Sequence, residues 1–132
     1  MQNIDFNIWY PHYWYFLNMS ALNYPEHPTS IDKKIYYRLI HNFYHFIPNP
    51  ELSKLFNQLI DKYPLTPYLD NKILFMKWIH FITSKINDHL NLPSIKFESI
   101  MYSLLKKPTF PYKYIAYFVI LILLIYISYY FM

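Results

Sequence analysis

The 132-residue sequence contains no cysteine and no glycine, and only 15% of its residues are charged. Without cysteine the chain cannot form disulfides, thiolate zinc sites, iron–sulfur clusters or a thiol nucleophile. Without glycine it cannot form the glycine-rich phosphate loops of P-loop and dinucleotide-binding proteins, because other residues adopt those backbone angles only at a cost. These absences exclude the commonest redox and nucleotide-binding motifs.

Positive charge is modest and scattered. Twelve Lys and Arg residues against eight Asp and Glu residues give a net charge of +4. The basic residues are spread along the chain from Lys33 to Lys113, whereas nucleic-acid-binding proteins usually cluster them on one face or within a motif. We therefore expect no nucleic-acid partner.

Hydrophobic residues, in contrast, reach 55% and form one long uncharged run at the C-terminal end. As a helix, residues 114–132 would span about 28 Å, close to the ~30 Å hydrocarbon core of a bilayer. Tyrosines gather at both ends of the run, and Lys106, Lys107 and Lys113 precede it, as expected for a span whose upstream side stays in the cytosol. We predict a single-pass tail anchor at 114–132 with the N-terminal domain cytosolic, because residues 1–7 lack a signal-peptide pattern. The alternative is a buried core helix, which in so small a domain should carry a polar stripe.

Prolines and helix caps divide residues 1–105 into five predicted helices, with Ser30, Asn49 and Ser94 as N-caps. The predicted helices cover residues 11–23, 31–46, 50–63, 71–90 and 95–105, and residues 106–113 form a Lys- and Pro-rich linker. Apolar residues recur at helical spacing in the second helix (Ile35, Leu39, Phe43 and Phe46) and in the fourth (Phe75, Ile79, Ile82, Ile86 and Leu90). No strand-like alternation competes with this pattern, so we predict an all-α bundle followed by a transmembrane helix.

Three segments of the predicted bundle carry a recognisable pattern. They are WYPHYWYFLN at 9–18 with Ala21 and Tyr24-Pro25, FIPNPELS at 46–53, and PYL at 67–69 followed by WIH at 78–80 and IN at 86–87. In order and spacing they resemble the Erv/ALR-type FAD-linked sulfhydryl oxidases, most closely the versions carried by large nucleocytoplasmic DNA viruses. The resemblance covers residues 9–105 and implies a four-helix bundle plus a short fifth helix that cradles FAD and is often dimeric.

The resemblance places the family's redox Cys-x-x-Cys pair on Asn49 and Leu52. Thiol oxidation by such a protein starts with exchange between a substrate thiol and that disulfide, followed by electron transfer to the flavin. Because neither position carries a thiol, the resemblance implies that this chain has no catalytic residue and is a pseudoenzyme.

The family's flavin contacts are also largely changed. The histidine of the first helix falls on Asn18, the later histidine and asparagine fall on Thr83 and Ser84, and a following lysine falls on Leu92. Three positions keep the expected residue type, namely Trp14, Ile86 and Asn87. The resemblance thus implies a vestigial FAD pocket at Trp14, Asn18, Thr83, Ser84 and Asn87. Since unsatisfied polar groups of a buried ligand are costly, we expect no bound cofactor.

His41 and His45 lie four residues apart on the second predicted helix, a spacing that can bind a metal. No carboxylate lies between them and no third ligand is evident, so we expect both to face solvent and predict no metal site.

These observations predict a catalytically inactive, membrane-anchored protein. With the resemblance to viral versions, they suggest a viral structural protein, either a minor capsid protein or a linker between capsid and membrane, on the viral inner membrane or an ER-derived membrane. Its expected partners are other viral capsid or membrane proteins, with a homodimer or a heterodimer with an active paralogue as further possibilities. Two alternatives are a non-catalytic partner subunit of an active thiol oxidase and a flavin-binding protein without thiol chemistry.

Overall fold

The computed structural model of the chain describes residues 4–106 and 112–131, and these residues contain helices and no strands. The helices are α1 (Phe6–Leu22), α2 (Ser30–Phe43), α3 (Pro50–Lys62), α4 (Lys72–His89), α5 (Phe97–Leu105) and α6 (Tyr112–Phe131). A 3-10 turn at Tyr44–Phe46 follows α2, and another at Thr66–Tyr68 precedes α4. The predicted all-α class is confirmed. Most of the predicted linker 106–113 lies outside the described residues, and the predicted domain boundaries stay a prediction.

Side-chain caps set the starts of α2 and α3. The Asn49 side-chain oxygen accepts a hydrogen bond from the Leu52 amide at 3.0 Å, as predicted for the first turn of α3. In α2, Thr29 and Asp32 form a capping box in which each side chain accepts a hydrogen bond from the other residue's backbone N–H. Thr29 is therefore the N-cap, one residue before the predicted Ser30.

Two other helices begin away from their predicted starts. Helix α1 begins at Phe6, because the Asp5 carboxylate accepts the Asn7 amide at 2.9 Å and caps the helix there. The predicted start, Pro11, lies inside α1 on an exposed face, where water can solvate the carbonyl that proline leaves without a partner. Helix α5 begins at Phe97 with no side-chain cap, so Ser94 does not start it.

The core lies among α1, α3 and α4, and α1 packs mainly against α4. The predicted stripe of α4 is confirmed, because four of its five residues are at most 1% exposed: Phe75, Ile79, Ile82 and Ile86. The fifth, Leu90, is half-buried at the end of the helix. Helical periodicity therefore identified the buried face of the longest helix in the bundle.

The predicted stripe of α2 is wrong in part. Ile35 is 56% exposed and Phe46, which lies beyond α2, is 67% exposed. The buried face of α2 carries Ile40 and Phe43, with Tyr36 packed edge-on against two core aromatic rings. Apolar residues occur at helical spacing on both faces of α2. The buried face is the one on which the Tyr36 ring packs against the core aromatic rings.

Helix α6 is long and apolar enough to cross a membrane, and none of its residues is buried by the rest of the chain. Its 20 residues correspond to about 30 Å at 1.5 Å per residue. The predicted C-terminal helix is confirmed as long and apolar enough for a bilayer. It begins at Tyr112, two residues before the predicted span of 114–132.

Candidate functional site

A cavity of about 290 Å³ opens between α1, α4 and α5, and we call it the α1/α4/α5 pocket. This volume lies near the lower end of the range of about 300–1,000 Å³ for pockets that bind small molecules. The pocket is lined by Tyr10, Pro11, Trp14, Tyr15, Asn18, His80, Thr83, Ser84, Asn87, Ile95, Ile100, Ser103 and Leu104. Its lining thus combines aromatic and aliphatic surface with hydroxyl and amide groups, and includes no Lys, Arg, Asp or Glu.

The five residues predicted as a vestigial pocket all line this cavity: Trp14, Asn18, Thr83, Ser84 and Asn87. The first two are one helical turn apart on α1, and Thr83 and Asn87 are one turn apart on α4, so each pair projects from one face of its helix. The structure therefore brings the predicted residues together, and their role in binding stays a prediction.

Three polar residues of the pocket donate their hydrogen bonds to backbone carbonyls one turn earlier in their own helix. Asn18 Nδ2 donates to the Trp14 carbonyl at 2.8 Å, Thr83 Oγ1 to the Ile79 carbonyl at 2.8 Å, and Ser84 Oγ to the His80 carbonyl at 2.9 Å. These side chains retain acceptor capacity on Asn18 Oδ1 and on the two hydroxyl oxygens, and Asn18 Nδ2 retains its second N–H. This side of the pocket therefore suits a ligand that donates hydrogen bonds.

Tyr10 connects α1 to α4 at the pocket wall. Its hydroxyl donates to Asn87 Oδ1 at 2.5 Å, across 77 residues of sequence. Burial raises the pKa of Tyr10 to about 12. Sequence reasoning missed Tyr10, because a tyrosine beside Trp9 looks like ordinary core and its partner is far away in the chain.

Trp14 carries a polar atom without a partner. The residue is 5% exposed, and its indole Nε1 is buried with no hydrogen-bond partner among the described residues. Native proteins satisfy most buried polar atoms, so this donor is an exception inside the core beside the pocket.

Helix α5 forms the outer wall of the pocket and packs loosely. None of its residues is buried, and the segment before it is attached to α4 by a 2.7 Å hydrogen bond between His80 Nε2 and the Ile95 carbonyl. The His80 ring also packs edge-on against Phe97, with centroids 5.6 Å apart. Sequence reasoning did not single out His80, whose contacts depend on where α5 folds back.

Neither position of the predicted redox pair lines the pocket. Asn49 caps α3, and Leu52 is 4% exposed within the core. Leu92, at the position of the family's lysine, is half-buried against the core and also lies away from the pocket lining. The substitutions at 49 and 52 therefore give α3 a cap and a core residue in place of two thiols.

His41 and His45 make local contacts. The His41 ring stacks on Tyr37 with centroids 3.8 Å apart, and its Nδ1 lies 3.0 Å from the Tyr37 carbonyl oxygen. The His45 ring packs against Tyr44. Within residues 4–106 and 112–131, no three His, Cys, Asp or Glu side chains are grouped as metal ligands.

A second cavity of about 410 Å³ lies on the other side of α1 and is almost entirely apolar. It is lined by His12, Tyr13, Phe16, Leu39, Phe43 and Phe46. Phe16 is 50% exposed at this surface, and Ile35, one helical turn before the lining residue Leu39 on α2, is 56% exposed. We call this surface the α1/α2 face.

Comparison with known proteins identifies the fold. The model of the Erv1 / Alr family matches residues 11–106. The core of yeast Erv1 is similar in structure with a TM-score of 0.72 and 19% sequence identity, covering 83% of this chain and 91% of that chain. The FAD-binding domain of Erv1 from Saccharomyces cerevisiae has a TM-score of 0.67 and 22% identity, covering 73% and 90%. No curated protein sequence is significantly similar to the chain.

These matches overturn the prediction that the chain carries no cofactor, because they point to FAD as the cofactor of this fold. The prediction rested on the changed side chains at Asn18, Thr83, Ser84 and Leu92. The sequence analysis grouped three of these positions in a vestigial pocket but did not anticipate that the cavity between them stays open. Aromatic and aliphatic walls also contribute much of the binding of a ring system, and those walls are present.

Proposed function

Since the chain belongs to the Erv1 / Alr family, we propose that it is a membrane-anchored member that holds a flavin and does not oxidise thiols. The observation that carries the proposal is the identity of residues 49 and 52. Asn49 and Leu52 occupy the positions that the resemblance gives to the dithiol, and none of the 132 residues is a cysteine. A substrate thiol therefore has no disulfide to attack, whatever the pocket holds.

The α1/α4/α5 pocket supports flavin binding. A bound FAD supplies a ring system that takes up and releases electrons. Trp14 and Tyr10 provide aromatic surface, Asn18 Oδ1 and the Thr83 hydroxyl oxygen provide acceptors, and Asn87 provides an amide.

We also propose that the domain lies on the cytosolic side of the membrane that α6 crosses. Lysines at 106, 107 and 113 flank the N-terminal end of α6, and positive charge favours the cytosolic side of a span. The resemblance to versions carried by large DNA viruses supports a viral inner membrane or an ER-derived membrane as the location.

A docking role in virus assembly is our proposal for the biological function, as a minor capsid protein or a membrane–capsid linker. The α1/α2 face supports it, because Phe16, Ile35 and Phe46 are each at least half exposed on one side of the bundle. Contiguous exposed apolar surface is typical of a protein interaction site. The same face favours the second candidate function, pairing with a cysteine-bearing paralogue as its non-catalytic subunit.

Oxygen consumption with dithiothreitol tests the missing thiol chemistry. We expect the full-length chain in detergent, supplied with FAD, to consume oxygen no faster than free FAD does. Faster consumption would contradict the proposal. A purified chain that takes up no FAD would contradict its flavin part and leave the prediction of inactivity standing.

A double variant, Asn49→Cys with Leu52→Cys, tests whether only the dithiol is missing. A thiol at the N-terminal end of α3 would have a lowered pKa and form a reactive thiolate. Oxidase activity of this variant with FAD would mean that only the dithiol is missing. Continued inactivity would mean that the flavin site is lost as well or is out of reach of α3, since neither position lines the pocket. The matched control is Asn49→Ser with Leu52→Ser, which introduces groups of similar size without thiols and should remain inactive.

Proteomics of purified virus particles tests the docking role. We expect the chain in particles together with capsid proteins, and its restriction to membranes outside the particle would argue against a structural role. Recovery of a cysteine-bearing paralogue with the full-length chain, abolished by Ile35→Glu on the α1/α2 face, would instead favour the partner-subunit function.

A further inference from the structure

We propose that Tyr10 is a positioning residue of the α1/α4/α5 pocket. Its hydroxyl holds the Asn87 amide so that Asn87 Nδ2 donates a hydrogen bond to an acceptor atom on an uncharged heteroaromatic ring. This inference rests on the proposed flavin binding and names a residue that the family resemblance did not assign.

The amide oxygen of Asn87 faces Tyr10 in the structure. Tyr10 Oη lies 2.5 Å from Asn87 Oδ1, at the short end of the range for O–H···O hydrogen bonds. The amide oxygen is therefore the atom that contacts the phenol. Among residues 4–106 and 112–131, Asn87 Nδ2 has no hydrogen-bond partner and remains available as a donor.

Tyr10 is well suited to hold this orientation. The residue is 8% exposed, and its ring packs edge-on against Trp9 and Trp14, which limits its movement. Burial raises the pKa of the phenol to about 12, so the hydroxyl keeps its proton and donates at every physiological pH. Because Tyr10 and Asn87 come from α1 and α4, the bond also joins the two helices that form the pocket.

The chemistry of the lining identifies the class of ligand. The pocket combines aromatic surface, the Asn87 donor and the acceptors of Asn18, Thr83 and Ser84, and the residues that the structure describes contribute no Lys or Arg to its lining. A planar ring that both accepts and donates hydrogen bonds fits this set. Both the isoalloxazine and the adenine of FAD have this chemistry, so riboflavin and adenosine are the probes that separate them.

Titration of the full-length chain in detergent with FAD, riboflavin and adenosine tests the inference, with dissociation constants measured from flavin fluorescence or from the fluorescence of the three tryptophans. We expect Tyr10→Phe to weaken binding of FAD and of the ring-matched probe by about threefold to tenfold, the effect of one lost hydrogen bond. Asn87→Asp keeps an oxygen that accepts the Tyr10 hydroxyl but replaces the Nδ2 donor with a second oxygen. We expect it to weaken binding at least as much as Tyr10→Phe does.

The double variant Tyr10→Phe with Asn87→Asp separates positioning from direct contact. If Tyr10 acts through Asn87, adding Tyr10→Phe to Asn87→Asp should cause no further loss, whereas independent effects would multiply. The matched control is Tyr13→Phe, which removes a hydroxyl on the same helix that donates to the Phe46 carbonyl at 2.7 Å, outside this pocket. It should leave ligand affinity unchanged.

The outcomes are distinct. Unchanged affinity in Tyr10→Phe, or multiplied losses in the double variant, would overturn the positioning role while flavin binding stands. Equal losses in Tyr10→Phe and Tyr13→Phe would show a general structural effect and also overturn it. Failure of the unaltered chain to bind FAD, riboflavin and adenosine would overturn both this inference and the proposed flavin binding.

Discussion

Replacement of Ile82 by alanine tests the packing that holds the pocket wall in place. Ile82 is 1% exposed in the middle of α4, directly before the pocket residues Thr83 and Ser84. The substitution removes three buried carbon atoms, each worth about 0.8 kcal/mol of transfer free energy. The cavity left behind adds to this, so the total loss should be about 2–5 kcal/mol.

The assay is thermal and urea unfolding of the full-length chain in detergent, followed by far-ultraviolet circular dichroism. For a domain of this size, about 1 kcal/mol shifts Tm by roughly 4–8 °C, so we expect Tm to fall by at least about 10 °C. The matched control is Ile73→Ala, which removes the same atoms from α4 at a position that is 53% exposed. A loss below about 1 kcal/mol for Ile82→Ala, or equal losses for both variants, would refute the assigned core face.

Three further predictions concern caps and the anchor. Asn49→Ala should lower the free energy of unfolding by about 1 kcal/mol, because α3 loses its cap, and Asn49→Asp should retain most of the stability in the same unfolding assay. Hydrogen bonds from Thr29 lower the pKa of Asp32, so the stability that Asp32 contributes is present above its unfolded pKa of about 4 and lost as pH falls through the lower folded value. Acid titration of Asp32→Asn should therefore show a shallower loss of stability than the unaltered chain. The full-length chain should resist carbonate extraction, whereas truncation after Pro108 should release the domain into the supernatant.

Local signals made most of the fold predictable from the sequence. Asn49 and Pro50 mark the start of α3, and the spacing of Phe75, Ile79 and Ile82 marks the buried face of α4, because caps and periodicity act within a few residues. The start of α1 was predicted too late. A proline after the first turn looked like a helix start, while Asp5 supplied an earlier cap.

Only those residues of the candidate site that stand at positions of the family motif could be predicted from the sequence. The resemblance placed Trp14, Asn18 and Asn87 correctly on one cavity, because motif residues keep their helical register. Tyr10 and His80 lie within the recognised segments but were given no role, since their partners are Asn87 and the Ile95 carbonyl, which only tertiary folding brings near. The cofactor prediction failed for a related reason, because a sequence shows which side chains have changed and does not show the cavity that remains between the helices.

Loss of the dithiol and retention of a ligand pocket are separable in this fold because different elements supply them. Asn49 and Leu52 lie at the first turn of α3, where one caps the helix and the other fills the core. The pocket is instead built from α1, α4 and the region of α5. A helix N-terminus that is buried on one side needs a polar cap and an apolar residue facing the core. Asn49 and Leu52 meet these needs and therefore stabilise α3, and neither residue forms part of a pocket wall. The residues at 49 and 52 and the residues that line the pocket can therefore be varied independently, so the proposed flavin binding and the proposed absence of thiol oxidation can be tested one at a time.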